Sequence, residues 1–542
     1  MTETPANQSL DGASEVALLD TKGERALRAG GFLLGAFLVA AALRFGNPGV
    51  PDPDSFYHFR HAALYAEKGL SMSAFPWLVH SIISRFASDI GYGFHVFLVP
   101  FTLLGDPVLG IKLAAVCETW IIMVLVYWVL RRHAIAYAAA WPFMLIFLSG
   151  PIVWTVLQTR PQTLTMGFSA LLLSFMLLGS PWGVFAASFL ISFVHLNIFP
   201  IIPVIVAVAA LFKGLVERQW EWRKWALALA GVGVGWLLRP NPFGSARLEY
   251  VQILVHEVVR QKKIPLLFGR EWEPVSLASL GAFSYFMLVW VGVAALAVIA
   301  LAMRRRGLGR RESVFLWSSL ALALAFFVVT VTITKRATPF WGTFAVMFVA
   351  QAFNCFLNPA DEREEQPFKK DTRLLLALGV GVVFAAMLWD GANQHLIQRQ
   401  WSGIPPARMQ GAGQWLREHG KPGDIVYNVN WDAFPELFFW DTDQRYVQGL
   451  DPVFLYAYDE RLYWKAHHLQ QGEAADHTWG TMDYEADAQE DTYTVLSRDF
   501  GASFVILEKR RNEALYQWML GDTRFAPGFE NDTTAVFSLR SP

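Results

Sequence analysis

Apolar runs of membrane-spanning length recur from residue 28 to residue 390 and then stop. A helix crossing a bilayer needs about 20 predominantly apolar residues. On that criterion helices are expected at 28–46, 108–130, 134–149, 163–179, 184–199, 201–216, 225–239, 283–302, 314–334, 339–357 and 374–390. Several of these runs are short, which suits helices that thin the bilayer locally or break near a site. The run 94–104, FHVFLVPFTLL, is too short to span comfortably and contains a proline. Together with the amphipathic stretch 56–88, it is expected to form interfacial or re-entrant helices on a first outer loop, 47–107. Beyond Asp390 the pattern changes. GDIVYNVNW and ASFVILEK read as strands, and ARMQGAGQWLREHG as a helix closed by a glycine, so 391–542 is expected to be a compact domain of α/β or α+β type.

Loop charge sets the sidedness. With the polar tail 1–27 in the cytoplasm, the inside loops carry Arg131-Arg132-His133, the stretch Lys213 to Lys224, the RRRGLGRR run from Arg304, and the charged stretch Asp361 to Arg373. That is the arrangement the positive-inside rule requires. The same alternation puts 47–107, 150–162, 240–282, 335–338 and the C-terminal domain outside. Counting 94–104 as a span would move every basic cluster outside, so it is excluded. The fold class is therefore a polytopic α-helical membrane protein of about eleven transmembrane helices, residues 28–390, with a C-terminal extracytoplasmic domain. Composition agrees: of 542 residues 54% are hydrophobic and 17% charged, with 42 Phe and 22 Trp, and the mean hydropathy of +0.32 is too high for a soluble chain. Met1 to Arg28 lacks the layout of a secretory leader, and the first apolar run is expected to be a retained anchor. A formal net charge of −1 is neutral on nucleic acid, which is not an expected partner. Cys117 and Cys355 both lie in apolar runs, where cysteine packs as a small hydrophobe.

Against this apolar background the stretch Pro51 to His61, PDPDSFYHFRH, stands out. It holds Asp52, Asp54, His58, Arg60 and His61, each costly within reach of lipid, and is read as the catalytic corner. The plainer reading is a solvated loop in which Asp52 caps a turn and Asp54 the next helix. The other unusual polar groups fall on the same side: Arg160 and Gln162 at the mouth of the fourth span, His195 and Asn197 at the outer end of the fifth, Arg239 and Asn241 after the seventh, Glu271 and Glu273 in the next outer loop, and Lys335-Arg336 opening the tenth. Singly, Arg160 also reads as a snorkelling interfacial arginine, His195 as a satisfied core histidine, and Asn241 as a turn former. Lys335-Arg336 breaks the positive-inside pattern and points to an anionic ligand. Carboxylates beside several arginines at headgroup depth suit sugar transfer from a lipid phosphate, in which one carboxylate takes the acceptor's proton while cations hold the leaving phosphate. In the alternative, Asp52 and Asp54 hold a divalent ion, Mg2+ or Mn2+, that orients both partners.

These features together resemble the GT-C superfamily of polyprenyl-phosphate-dependent membrane glycosyltransferases. The carriers are the Asp-x-Asp of the first outer loop, Glu271-Trp272-Glu273-Pro274 in a long outer loop, Lys335-Arg336, and Asn430-Trp431-Asp432 early in the outer domain. Within that superfamily they are similar to the oligosaccharyltransferase catalytic-subunit branch and its bacterial relatives. The resemblance implies that Asp54 or Asp52 is the catalytic or metal-binding carboxylate, with His58 beside it. It further implies that Arg336 contacts the donor phosphate, and that Glu271 or Glu273 reaches into the site; by charge and position Arg160 and Lys335 are expected to contact the same phosphate. His195, Asn197, Trp431 and Asp432 would then make acceptor-side or supporting contacts. It implies a polyprenyl-(pyro)phosphate-linked sugar as donor, membrane lipid around it, a protein, lipid or glycan acceptor, and a place in a bacterial inner membrane. The chain departs from the branch in two ways. The loop PIVWTVLQTRPQTL has no acidic pair, and NWDAF stands where sequon-reading enzymes have WWDYG. A rival class, a transporter or lipid flippase without transferase activity, would place its ionisable groups near the midplane on broken, repeated helices. A noncatalytic assembly or sensor protein would work through its outer domain alone.

Overall fold

The computed structural model describes residues 22–267, 269–280, 308–357, 388–396, 403–484 and 486–540, with parts of 285–299 and 381–386. Most of the expected tail 1–27, and much of the expected spans 283–302 and 374–390, lie outside the described residues. Among the described residues five helices are long and apolar enough to cross a membrane: Ala26–Phe45, Pro107–Arg132, Pro161–Leu178, Leu196–Glu217 and Arg310–Thr332. Three further expected spans hold helices of 14, 16 and 20 residues, Pro181–Val194, Trp222–Leu237 and Thr338–Leu357. In chain order we label α1 (Lys22–Phe45), α2 (Asp54–Lys68), α3 (Ile82–Phe86), α4 (Tyr92–Thr102), α5 (Pro107–Arg132), α6 (Trp141–Ile146), α7 (Gly150–Leu157), α8 (Pro161–Leu178), α9 (Pro181–Val194), α10 (Ile201–Glu217), α11 (Trp222–Leu237), α12 (Pro242–Glu249), α13 (Arg310–Thr332) and α14 (Thr338–Leu357).

Local chemistry fixes these ends. α5 opens on Pro107 with the Asp106 carboxylate accepting from the N–H groups of Val108 and Leu109, and closes on Arg131-Arg132, each charge favourable to the helix dipole at its own end. α8 also opens on a proline, Pro161, and stops where Gly179 takes φ +77°. α9 and α11 pack closely because small residues line their contact: a Cβ on Gly235 would lie 2.2 Å from Ser192 Oγ.

One expectation needs correction. Residues 134–149 are not a single span, and 150–162 is not a plain loop. The chain turns through Ala134 and Tyr137, both at positive φ, and the return from the far end of α5 to the start of α8 is made by two short helices, α6 and α7. The break falls at Ser149, which is extended at φ −159° and ψ 157°, and Pro151 sits in the first turn of α7, where its missing N–H leaves no helical hydrogen bond unmade.

The outer layer is built on two clips. Arg239, just past α11, is 3% exposed. It donates to the carbonyls of Asp89 and Ile90 at 2.8 Å and of Ser192 and Phe193 at 2.7 and 2.9 Å, which seats the turn before α4 on the end of α9. Asn241 caps α12 and donates to the carbonyls of Phe86 and Ala87 at 2.9 and 3.0 Å. Gly93 completes the seat, since a Cβ there would meet the Phe193 carbonyl at 2.4 Å. Arg239 and Asn241 are therefore structural rather than ligand-facing. Arg239→Met leaves four carbonyls without their donor and is expected to cost at least about 3 kcal/mol, read as a lower unfolding midpoint in detergent.

The C-terminal region folds around a five-stranded sheet of β1 (Ile425–Asn428), β2 (Arg445–Tyr446), β3 (Phe504–Glu508), β4 (Phe525–Glu530) and β5 (Thr534–Leu539), in the order β2-β1-β3-β5-β4. The first three strands are mutually parallel, and β5 runs antiparallel to both its neighbours. The two segments read as strands from sequence are β1 and β3, and the helix closed by glycine spans Gln410–His419 with Gly420 as its cap. The segment after α1 belongs to the same core: Leu64, Phe75, Trp77, Leu78 and Ile82 pack with Val426, Phe438 and Tyr446. The amide of Tyr446 donates to the Trp77 carbonyl at 2.7 Å, and Trp77 Nε1 to that of Thr442 at 2.8 Å.

Candidate active site

The start of α2 and the start of α8 face each other across one arginine. Pro53 opens α2, with the Asp52 carbonyl accepting from Ser55 N–H at 3.2 Å. Thr159 N–H donates to Ser55 Oγ at 3.2 Å, and Thr159 Oγ1 to the Ile111 carbonyl at 3.1 Å, so the residue before Arg160 is held on both sides. Arg160 then grips Asp52 in a fork, Nε to Oδ2 at 2.6 Å and Nη2 to Oδ1 at 2.7 Å. It also reaches Asp54 Oδ2 at 2.6 Å and Glu271 Oε1 at 3.3 Å.

Glu271 joins a second arginine to the first. Its carboxylate accepts from Arg336 as well as Arg160, and Arg336 lies 3.8 Å over the Trp272 ring. Backbone contacts fasten this loop to the turn before α14: Thr334 Oγ1 donates to the Glu271 carbonyl at 2.8 Å, Lys335 N–H to that of Glu273 at 2.9 Å, and Gln162 Nε2 to that of Arg336 at 2.6 Å. Three carboxylates thus meet two guanidinium groups, and burial raises both Asp52 and Asp54 above the ordinary carboxylate range. Burial raises the Asp54 carboxyl to about 7, with Asp52 and Glu271 pushing the same way and Arg160 opposing. Glu271, which burial alone would raise, is drawn down to about 2 by Arg160 and Arg336.

These groups line a cavity of about 850 Å³. Asp52, Asp54, His58, Arg160, His195, Asn197, Glu271, Arg336, Trp431 and Asp432 all contribute to its wall. A second cavity of about 470 Å³ lies on the other side of Arg160, Glu271 and Arg336, where Trp154, Tyr285 and Lys335 face it. Lys335 therefore lines only the smaller space, and Glu273 lines neither; the two form an exposed pair at 3.6 Å, a contact worth little. Asp432, bonded to Arg511 at 2.8 Å, roofs the larger cavity from the C-terminal domain. Burial holds His58 well below its ordinary value, so its imidazole is neutral.

A Mg2+ or Mn2+ ion between Asp52 and Asp54 does not fit these residues as they stand. Both Asp52 oxygens and Asp54 Oδ2 are bonded to Arg160, which already brings a positive charge to the carboxylate pair. Four contributors escaped the sequence reading. Asp89 and His95 stand behind His58, Gln252 accepts from Asn197 Nδ2 at 3.3 Å, and Trp154 lines the smaller cavity. His95 lies in the run 94–104, read only for its length, and Asp89 falls between that run and the amphipathic stretch 56–88.

No protein-family model matches the sequence, and no curated protein does. Solved structures do match. The oligosaccharyltransferase of Archaeoglobus fulgidus, solved with a tethered acceptor peptide containing the NVT sequon, aligns with a TM-score of 0.61 at 14% identity, over 95% of this chain and 74% of that one. ArnT from Cupriavidus metallidurans, bound to undecaprenyl phosphate, aligns at 0.56 and 12% identity, over 96% of this chain and 98% of that one. The mycobacterial arabinofuranosyltransferase AftD aligns at 0.52 and 14% identity, over 94% of this chain but 41% of its own. At such identities the likeness is one of architecture, and it answers the resemblance read from the sequence: this chain has the fold of the GT-C membrane glycosyltransferases.

Proposed function

We propose that the chain is an integral-membrane glycosyltransferase that moves a sugar or oligosaccharide from a polyprenyl-phosphate or pyrophosphate donor to an acceptor on the extracytoplasmic face. The observation that carries this reading is the Glu271 carboxylate bridging Arg160 and Arg336 between two cavities. It occupies the position of an anionic ligand, and a donor phosphate would take its place on the same two guanidinium groups. The structural likeness to ArnT with undecaprenyl phosphate supports a lipid-linked donor, and the likeness to a transferase with a bound peptide supports an acceptor site beneath the outer domain. In the reaction Asp54 takes the acceptor's proton, the acceptor atom bonds to the anomeric carbon, and the carbon–oxygen bond to the lipid phosphate breaks. Arg160 and Arg336 hold the charge that departs. Arg160 supplies the positive charge for which a divalent ion was expected. His195, Asn197, Trp431 and Asp432 bound the acceptor side.

A photoreactive undecaprenyl-phosphate analogue tests the donor assignment. It is expected to label the purified chain saturably beside Arg336, with labelling reduced at least about tenfold in Arg336→Gln. Equal labelling of both proteins would remove Arg336 from the donor site.

A further inference from the structure

The first outer loop holds a second cluster of titratable groups that the transfer reaction does not use. His61 on α2, Asp89 in the turn before α4 and His95 on α4 are 3%, 8% and 0% exposed. Three of their atoms converge: His95 Nδ1 lies 2.6 Å and His61 Nε2 3.9 Å from Asp89 Oδ2, and all three fall within 4.8 Å of one another. The outward atom of each residue is held from behind. His61 Nδ1 pairs with the Tyr57 hydroxyl at 3.1 Å, His95 Nε2 with His58 Nδ1 at 2.7 Å, and Asp89 Oδ1 with Gly91 N–H at 2.8 Å. Arg239 fixes the backbone beneath through the Asp89 and Ile90 carbonyls.

A single histidine–carboxylate pair would be satisfied by one of these contacts. Two imidazoles whose outer nitrogens are fixed and whose inner nitrogens meet at one carboxylate oxygen form the arrangement that metal ligation requires, because the rear hydrogen bond fixes both tautomer and ring orientation. We propose that His61, Asp89 and His95 bind a divalent transition-metal ion, zinc by the chemistry of the donors. Two imidazoles and one carboxylate suit zinc, whereas magnesium and calcium favour all-oxygen sets. With metal–ligand bonds near 2.0–2.2 Å, tetrahedral donors sit roughly 3.3 Å apart. The short His95–Asp89 contact therefore opens, and the longer His61–Asp89 contact closes, each by less than about 1 Å.

Burial lowers His61 to about 3, leaving it neutral. Burial opposes ionisation of Asp89, but hydrogen bonds from His95 and Tyr65 hold its carboxyl below the ordinary carboxylate range. The Tyr65 hydroxyl, 2.8 Å from Asp89 Oδ2, or a water fills the fourth position. Access runs through the larger cavity, whose wall includes both Asp89 and His95. Once its Nδ1 ligates the ion, neutral His95 carries its proton on Nε2 and donates it to His58 Nδ1. The ion would thus fix the ring that lines the substrate cavity one turn along α2 from Asp54. This site is distinct from the Asp52–Asp54 pair and does not depend on the glycosyl-transfer reading.

The test is the metal content of the full chain, purified in detergent without metal-affinity chromatography and dialysed against Zn2+ or Co2+. We expect one zinc equivalent per chain by mass spectrometry, and visible d–d absorption of four- or five-coordinate cobalt(II). His61→Gln and His95→Gln should each lose the metal and the bands. Replacing His467 and His468, which with Glu473 form the other histidine cluster, should leave both unchanged. Should the single variants not fold, X-ray absorption of the wild-type cobalt form decides by the presence of two imidazole ligands. A wild-type chain that retains no stoichiometric metal, or bands that persist in His61→Gln, overturns the proposal. Transfer activity is not the readout, so failure of the transferase reading would not mimic either result.

Discussion

Arg160→Gln is expected to abolish transfer and to weaken the fold, and the two losses separate. The guanidinium bonds Asp52 through both oxygens and also binds Asp54 and Glu271, while Asp52 is only 3% exposed. Removing one partner of such a buried pair costs about 3–5 kcal/mol, chiefly because the remaining charge stays buried without compensation. The double change Arg160→Gln with Asp52→Asn removes that uncompensated charge and should restore most of the unfolding midpoint. It should not restore turnover, which loses the donor that offsets the departing phosphate, a loss of about 10²–10³-fold. Arg160→Lys keeps a charge but not the fork that meets two carboxylates at once. It is expected to recover part of the stability and little of the rate. Midpoints measured in detergent, beside transfer of a labelled lipid-linked sugar, distinguish these cases. Wild-type transfer by Arg160→Gln would take Arg160 out of the site.

The sequence carried the membership of this site further than its geometry. The polar residues of a membrane chain are few, so Asp52, Asp54, Arg160, Glu271 and Arg336 were each visible against the apolar background, and loop charge put them on one side. Their mutual pairing was not visible, because contacts between residues more than 100 positions apart leave no local pattern. The Arg160–Asp52 fork is the clearest case: read alone, Arg160 suited a snorkelling residue. The metal reading meets the same limit, since Asp-x-Asp spacing says nothing of an arginine arriving from the start of α8. In the fold, strands β1 and β3 were legible from their short mixed runs between turns. The broken pair α6 and α7 was not, because the run 134–149 satisfies hydropathy whether or not Ser149-Gly150-Pro151 interrupts it. Arg239 stood out because polar groups near a membrane edge are rare, and its partners are backbone carbonyls, whereas Asn241 is the turn former that its sequence context suggested.

Asp54→Asn is expected to stop transfer while donor binding stays within a few-fold of wild type. Of the two loop aspartates only Asp54 is placed to take a proton. Asp52 spends both oxygens on Arg160, whereas Asp54 gives Arg160 its Oδ2 alone, and its Oδ1 has no hydrogen-bond partner among the described residues. Its carboxyl, raised to about 7 by burial, by Asp52 and by Glu271, is matched to base catalysis near neutrality, where such a group contributes about 10²–10⁴-fold. The sign follows from the role: below that pH Asp54 already holds a proton and cannot accept another, so turnover should rise with pH through about 7 and level off above it. Stability runs the other way. A carboxyl that binds its proton more tightly folded than unfolded makes the native chain less stable as pH climbs from the ordinary carboxylate range toward 7. Turnover that rises while the unfolding midpoint falls over the same pH window fits this role, and the midpoint's slope should be shallower, not absent, in Asp54→Asn, because burial raises Asp52 and Asp451 as well. A wild-type rate that stays level across that window, or an Asp54→Asn enzyme with unchanged turnover, would assign the proton to another acceptor, with the neutral imidazole of His58 next along the same helix.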